Sequence, residues 1–139
     1  MSASENHVLD VIAIGRSSVD LYGQQIGSRL EDIATFSKSV GGCPANIAVG
    51  TARLGLKSGL ITGVGAEQMG RFIIEQCARE GVSTKGIKID KERLTALVLL
   101  AVEDEGVSPM IFYRPDCADM AIDESDVDEA FVKSSKSVL

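Results

Sequence analysis

The chain has 139 residues, 45% of them hydrophobic and 24% charged, and its 20 acidic against 14 basic side chains give a net charge of -6. This length suits one domain with a hydrophobic core, and the composition excludes disordered and fibrous proteins. No basic run is interleaved with aromatic residues, so neither nucleic acid nor an anionic membrane is expected as a partner. The longest apolar run, residues 96–102, is far shorter than the roughly 20 residues of a membrane-spanning helix.

The cysteines and the N-terminus indicate the compartment. Cys43, Cys77 and Cys117 are odd in number and form no Cys-x-x-Cys pair, so the sequence predicts reduced thiols rather than a disulfide framework or a zinc site. The N-terminus has no basic start followed by a cleavable apolar region. The sequence therefore predicts no export signal and a cytoplasmic protein.

The first half of the chain alternates between predicted strands and helices. The apolar run "VLDVIAIG", residues 8–15, predicts a buried strand closed by a glycine. Residues 21–40 are more polar and alternate in "TFSKSV", which predicts exposed antiparallel strands around a loop at 28–32. Residues 44–54 have apolar positions at helical spacing, with Pro44 in the first turn and Gly55 as the stop, so a helix is predicted there.

A second strand and helix follow directly. Residues 57–65, "KSGLITGVG", predict another buried strand. Residues 67–81 predict a helix with Gly81 as its cap, and the residues expected on its buried face are Met69, Phe72, Ile73 and Cys77. These elements form a βαβ unit, for which a right-handed crossover onto a parallel sheet is expected.

The last third of the chain is predicted to contain a hairpin, an acidic helix and a further strand. The segments "LTALVLLAV" and "SPMIFYR", joined by "EDEG", predict the hairpin. Residues 123–132 predict a short acidic helix capped by Asp123 or Ser125. The final residues, "SSKSVL", predict a strand with nothing to pair beside it, and a sheet left open in this way suggests the front part of a longer protein.

The stretch "SVGGCPANIAVGTARLGL", residues 39–56, carries the strongest functional signal. Gly41 and Gly42 allow a tight turn and the close approach of a ligand, because neither has a Cβ. The helix that follows directs its free N–H groups and the positive end of its dipole at the same point. Asn46 can then offer a donor and an acceptor to a polyhydroxylated ligand. The alternative interpretation is an ordinary strand-to-helix turn with a locally bonded asparagine.

The spacing Gly41-Gly42-x-Pro44-x-Asn46-x-Ala48, continued by Gly55 and Gly65, resembles the first signature of the ribokinase-type (phosphofructokinase-B) carbohydrate kinases. Two further motifs support the resemblance, "GRSSVD" with its glycine and Asp20, and "GAEQMG" before the second helix. The resemblance runs from about residue 8 to residue 139. It implies an α/β, ribokinase-like fold, of which this chain would be the N-terminal part of a doubly wound, mostly parallel sheet with a small β-lid.

The longer matches resemble one branch of that family, the 5-dehydro-2-deoxygluconokinases of myo-inositol catabolism. They comprise "GRSSVDLYGQQIG", "GGCPANIAVGTARLGLKSGLITGVG", "RLTALVLL" and "IFYRPDCADMAI". Gly63 and Ala66 depart from the branch, in which arginine and aspartate are expected at these positions.

The resemblance implies transfer of the ATP γ-phosphoryl group to a sugar hydroxyl, assisted by Mg²⁺. It assigns substrate binding to five residues: Asp20 and Asn46 for sugar hydroxyls, Gly41 and Gly42 for the hinge and close approach, and Arg114, on a strand, for the carboxylate of an acid substrate. Asp20, Asn46 and Arg114 are expected to converge on one cleft.

The family's second signature, a glycine-alanine-glycine-aspartate turn with the catalytic base and the anion hole, has no counterpart in the sequence. "GVGA" at residues 63–66 is interpreted as structural, and Gln68 stands where a Rossmann Gly-x-Gly-x-x-Gly motif needs its third glycine. No catalytic, cofactor-binding or metal residue is therefore assigned to this chain. ATP and Mg²⁺ are expected for the complete enzyme, and neither is expected to bind tightly here.

The resemblance makes residues 1–139 the N-terminal portion of a kinase domain whose C-terminal, ATP-binding half is absent. Its lid would comprise strands at about 21–40 and part of 95–114. The exposed alternation of the first segment and the apolar second one predict a homodimer formed through this lid, because edge strands seek pairing. Two alternatives stay open: a non-catalytic sugar-binding or dimerisation module, and a kinase for another sugar, namely 2-keto-3-deoxygluconate, fructose or ribose.

Overall fold

The computed structural model describes residues 8–104, 106 and 108–139, and in this part the chain forms two four-stranded sheets and three helices. The first seven residues, on which the expectation of no export signal partly rests, lie outside it, as do two residues in or next to the predicted "EDEG" loop. None of the helices among the described residues has the length and apolar character needed to cross a bilayer. The strands are β1 Leu9–Ile14, β2 Ser18–Gly23, β3 Phe36–Gly41, β4 Ser58–Gly65, β5 Ser83–Asp90, β6 Leu97–Leu100, β7 Met110–Tyr113 and β8 Ser135–Val138, and the helices are α1 Cys43–Arg53, α2 Gln68–Arg79 and α3 Glu129–Lys133.

The first sheet is parallel throughout, in the order β5-β4-β1-β8, and its two central strands are buried on both faces. On one face, Ala13 and Leu60 join the core formed with α1 and α2. On the other face, the neighbouring Ile12 and Ile61 pack against Phe131 of α3. Successive residues of a strand point to opposite faces, so one apolar run supplies both cores. Helices on both faces confirm the predicted doubly wound α/β class.

The second sheet, called the lid sheet below, has the order β3-β2-β6-β7. The β2–β3 and β6–β7 pairs are antiparallel and β2–β6 is parallel, which confirms the predicted antiparallel pairs. The lid strands β2 and β3 lie at 18–23 and 36–41. The first begins three residues before the predicted segment 21–40, so Asp20 lies within a strand, and the second ends one residue after it. All four residues of β7 are exposed. The dimer predicted for this sheet stays a prediction.

The strand β5 was not predicted from the sequence. Its segment "STKGIKID" is only partly buried and mixes two lysines and a glycine with the apolar residues. It forms because β4 pairs with it in parallel from Gly59 to Gly65, with a register shift after Gly59. The segment is an edge strand, whose short apolar pattern gives little signal until its partner is known.

Two predictions for the helices are wrong. The acidic helix at residues 123–132 is instead a 3₁₀ turn at Glu124–Asp126 followed by α3, because Asp123 and Asp128 each cap a separate helix start. Met69 is exposed on α2, whereas Ile73 and Cys77 are buried as predicted. The three cysteines are free thiols, as predicted, and burial raises the pKa of Cys77 to about 11.

The final strand was predicted to have nothing to pair beside it, and this is wrong. β8 pairs in parallel with β1, from Leu9↔Ser135 to Ile12↔Val138. Lys136 Nζ donates a hydrogen bond to Asp10 Oδ1 over 2.6 Å, and this ion pair lowers the pKa of Asp10. The ends of the described chain are therefore neighbours in the parallel sheet.

Glu67 connects the parallel sheet, α2 and the lid sheet. Its Oε2 accepts the N–H groups of Met69 and Gly70 and so caps α2, and its Oε1 accepts the N–H of Thr95, over 2.8 Å, just before β6. Partial burial opposes ionisation, but these hydrogen bonds outweigh it and the pKa of Glu67 is lowered. A Cβ at Gly65 would collide with Glu67 Oε1, and a Cβ at Gly70 would collide with the carbonyl oxygen of Gly65, so packing explains both glycines of the "GAEQMG" motif.

We predict that Glu67→Gln lowers the free energy of unfolding by about 1 to 2 kcal/mol at neutral pH, because one amide oxygen cannot replace two carboxylate oxygens. The measurement is denaturant unfolding, with Glu75→Gln on the exposed face of α2 as the matched control. The folded-state pKa of Glu67 is below its ordinary value of 4.5, so its contribution is complete above that pH and is lost as the pH falls through the folded-state pKa. An equal loss for both variants at neutral pH, or a difference that grows in acid, would contradict this role.

Candidate functional site

The Asp20 carboxylate lies directly against Gly41. Asp20 is the third residue of β2, and β3 runs antiparallel beside it, with Ser18 opposite Gly41. A Cβ at Gly41 would collide with all three atoms of the carboxylate group. Ser18 Oγ donates a hydrogen bond to Asp20 Oδ1 over 2.8 Å and orients the group. The missing side chain of Gly41 therefore creates the space that the half-buried Asp20 carboxylate occupies.

Gly42 brings the start of α1 against the turn between β1 and β2. It is the N-cap residue, its φ is +96°, and a Cβ here would lie 2.5 Å from the carbonyl oxygen of Arg16. Only glycine fits both the left-handed backbone and this approach. The helix has no side-chain cap, in contrast to α2, and Pro44 has no N–H, so the N–H groups of Cys43 and Ala45 are the donors of its first turn that no side chain caps. Both glycines are thus required by packing within the chain, and their predicted roles in a lid hinge and in the approach of a sugar stay predictions.

Asn46 lies on an exposed part of α1, and its backbone N–H donates to Gly42 O over 2.9 Å. It lines a groove of about 340 Å³ between β3, α1 and α2, with Lys38, Phe72 and Gln76 among the other lining residues. Lys38 Nζ lies 4.1 Å from the centre of the Phe72 ring and joins β3 to α2 across the groove. Asn46 is therefore beside the glycine turn but does not face the cavity of Arg114.

The sequence predicted that Arg114 lies on a strand, and this is wrong, because β7 ends at Tyr113 and Arg114 follows it. Its Nε donates to Asp119 Oδ2 over 2.8 Å, and the Asp119 side chain is completely buried. Asp119 Oδ1 is also buried and has no hydrogen-bond partner in the described part of the chain. Because a buried carboxylate is costly without a cation, this pair holds the Arg114 side chain in one orientation.

Arg114 lines a cleft of about 450 Å³ together with Arg16, Phe112, Pro115 and Met120. The guanidinium carbon of Arg16 lies 5.7 Å from the centre of the Phe112 ring, within the range of a cation–π contact. Asn46 and Arg114 line different cavities, so neither of these two cavities contains both, and the predicted convergence of Asp20, Asn46 and Arg114 on one cleft stays a prediction.

Sequence reasoning missed Asp119 and gave Arg16 no role. The available signal was weak: Asp119 is a lone acid between apolar neighbours, which suggests a buried and therefore paired carboxylate. Gly63 also matters here, since a Cβ on it would collide with the carbonyl of Ala118. The missing side chain of Gly63 leaves room for the 3₁₀ turn Ala118–Met120, which carries Asp119.

Curated proteins similar to this chain are named as sugar kinases. The chain is 39% identical over 132 residues to the 5-dehydro-2-deoxygluconokinase of Geobacillus kaustophilus, a match that covers 94% of this chain and 39% of the relative. The chain thus spans about two fifths of the length of the curated relatives that it matches.

Two solved structures share the fold. An uncharacterized sugar kinase from Pyrococcus horikoshii, in complex with ATP, matches with a TM-score of 0.86 and 34% identity over 92% of this chain and 41% of that one. The fructokinase of Halothermothrix orenii matches with a TM-score of 0.81 and 33% identity over 94% of this chain and 45% of that one. The family model described as pfkB family carbohydrate kinase matches residues 8–139, and on this evidence the chain belongs to the pfkB family of carbohydrate kinases.

Proposed function

We propose that this chain is the sugar-binding, N-terminal portion of a kinase that transfers the ATP γ-phosphoryl group to 5-dehydro-2-deoxygluconate. The observation that carries the proposal is the Asp20 carboxylate, held against Gly41 beside the uncapped start of α1. A carboxylate next to free helix N–H groups offers acceptors and donors together, as a polyhydroxylated ligand requires. The name shared by the curated relatives supports the choice of substrate.

The roles of the other residues follow from their positions. Gly41 and Gly42 keep the backbone open where the sugar approaches, and Asn46 on α1 supplies an amide near the same turn. Arg114 has its Nε bonded to Asp119, so its two terminal nitrogens are available to the carboxylate of an acid sugar. In phosphoryl transfer these residues position the substrate hydroxyl, which is a large part of the catalysis.

The proposal places neither Mg²⁺ nor a nucleotide among the described residues. They bring together no group of three His, Cys, Asp or Glu side chains that could hold a metal ion, and the sequence has no glycine-alanine-glycine-aspartate turn. The proposal therefore assigns Mg²⁺ and ATP to the part of the kinase that lies outside this chain. The chain by itself is proposed to be inactive in phosphoryl transfer.

The lid sheet is proposed as the contact surface of a homodimer. Its edge strand β7 carries four exposed large side chains, with about half of each accessible, and its outer edge pairs with no other strand among the described residues. An apolar edge of this kind is stabilised by pairing with a second copy. This surface also keeps open the alternative of a non-catalytic binding or dimerisation module.

We predict that Gly41→Ala weakens the binding of 5-dehydro-2-deoxygluconate by at least about tenfold, because the new methyl group displaces the Asp20 carboxylate. The measurement is titration calorimetry on the chain. Gly50→Ala in α1 is the matched control, since a Cβ there has nothing within 4 Å and alanine favours the helix. Equal affinities of the two variants would show that the Asp20 carboxylate does not bind the sugar.

We predict that Arg114→Lys weakens the binding of an acid sugar by about 1.5 kcal/mol and leaves the binding of the matched alcohol unchanged. Lysine keeps a cation for the buried Asp119, whereas alanine would leave that carboxylate unpaired, and lysine cannot bond Asp119 and the substrate in the same forked geometry. The affinities for the acid and for its hydroxymethyl counterpart are compared in one titration series. A similar loss for both ligands would argue for a structural role of Arg114 alone.

We predict that the chain alone shows no ATP-dependent turnover of 5-dehydro-2-deoxygluconate, since loss of a general base alone costs about 10² to 10⁴ in rate. A coupled ATP assay compares it with a chimera in which residues 8–139 replace the matching part of the Geobacillus kaustophilus relative. The chimera is expected to be active and to lose activity with Asp20→Asn. Turnover by the isolated chain at a rate near that of the chimera would place the catalytic groups within these 139 residues.

A further inference from the structure

We infer that Arg16 is a second specificity-determining residue, which binds the carboxylate of the acid substrate together with Arg114. This inference deepens the proposed function and rests on it. It concerns the cleft of about 450 Å³ that the two arginines share with Phe112, Pro115 and Met120.

The position of Arg16 links this cleft to the sugar-binding turn. The backbone carbonyl of Arg16 packs against Gly42, at the start of α1, while its side chain lines the cleft of Arg114. Arg16 precedes Ser17, whose buried hydroxyl hydrogen bonds with Thr62 of β4 over 2.9 Å. The backbone at Arg16 is therefore fixed by a close contact on one side and a buried hydrogen bond on the next residue.

The side chain of Arg16 is directed by an aromatic ring. Its guanidinium carbon lies 5.7 Å from the centre of the Phe112 ring, and Phe112 and Arg114 are two residues apart at the end of the lid sheet. A guanidinium that stacks on a ring keeps its N–H groups free at its edge, where a carboxylate can bind. Phe112 thus orients one arginine as Asp119 orients the other.

The charge of the cleft favours an anion. Two of its five lining residues are cations and none is an acid, although the whole chain has a net charge of -6. The buried Asp119 neutralises one of the two guanidinium groups. The nearby Asp116 carboxylate is bonded to Arg93, outside this cleft. In the described part of the chain no carboxylate forms an ion pair with Arg16, so the cleft keeps one uncompensated positive charge.

The shape of a carboxylate matches two guanidinium groups held in this way. Each oxygen accepts hydrogen bonds from N–H donors, and a planar fork on either side fixes the orientation of the group. A neutral hydroxymethyl group offers a single acceptor and no charge. The two arginines therefore select an acid sugar over the corresponding alcohol, beyond the contribution of Arg114 alone.

The test measures binding of 5-dehydro-2-deoxygluconate and of the alcohol in which its carboxylate is reduced, to the 139-residue chain and to four variants. These are Arg16→Gln, Arg114→Lys, the double variant, and, as the control, Arg79→Gln, which changes an exposed side chain of α2. Calorimetry gives the affinities, and NMR follows the side-chain Nε–H signals of Arg16 and Arg114. Inorganic phosphate is titrated as a third ligand.

We expect Arg16→Gln to weaken the binding of the acid about 10- to 100-fold and to leave the binding of the alcohol unchanged. The control variant should bind both ligands as the wild-type chain does. The two substitutions should be non-additive for the acid, and both Nε–H signals should shift with the acid only. If the wild-type chain binds neither sugar, the proposed function and this inference are both overturned. If it binds the acid through Arg114 while Arg16→Gln has no effect, or if phosphate shifts both signals as strongly, only the inference is overturned.

Discussion

The close packing of Gly41 and Gly42 is the constraint on which the candidate site depends. One glycine admits the Asp20 carboxylate and the next admits the Arg16 carbonyl, so β2, β3, the β1–β2 turn and α1 meet where no side chain intervenes. The positive φ of Gly42 turns the chain from a lid strand directly into the helix. A Cβ at either position would collide with one of these groups, so the packing of the lid sheet against the start of α1 requires both glycines.

The two longer helices begin differently, because α2 has a side-chain cap and α1 has none. Glu67 caps α2 and also bonds Thr95, which ties the parallel sheet to the lid sheet through one carboxylate. The N-cap of α1 is a glycine with no side chain to offer. The start of α2 is thus capped by a side chain of the protein, whereas the start of α1 beside Gly41 and Asp20 has no such cap.

The cleft of Arg16 and Arg114 is positively charged, although the chain as a whole is negatively charged. The net charge is -6, yet Arg16 and Arg114 share a cleft in which the opposing carboxylate, Asp119, is buried beneath one of them. Burying that acid fixes an arginine without covering its terminal nitrogens. The glycine at position 63 makes this possible, because it admits the turn that carries Asp119. The position of the Arg114–Asp119 pair is therefore linked to a backbone contact of the parallel sheet.

The sequence by itself determined the central strands, the helices α1 and α2 and the family, because apolar runs and glycine spacings are local signals that survive without partners. Tertiary structure decided the rest. The edge strand β5 forms through pairing with β4, and the predicted final strand finds its partner in β1. Two aspartate caps divide what the sequence predicted as one acidic helix. Asp20, Asn46 and Arg114 were chosen from motifs, but only the packing of the lid sheet against α1 and α2 assigned Asn46 and Arg114 to different cavities. Folding also brings together Arg114 and Asp119, and it places Arg16 in the same cleft as Arg114. The sequence spacing does not show which cation pairs with a buried carboxylate, because that depends on the packing around it.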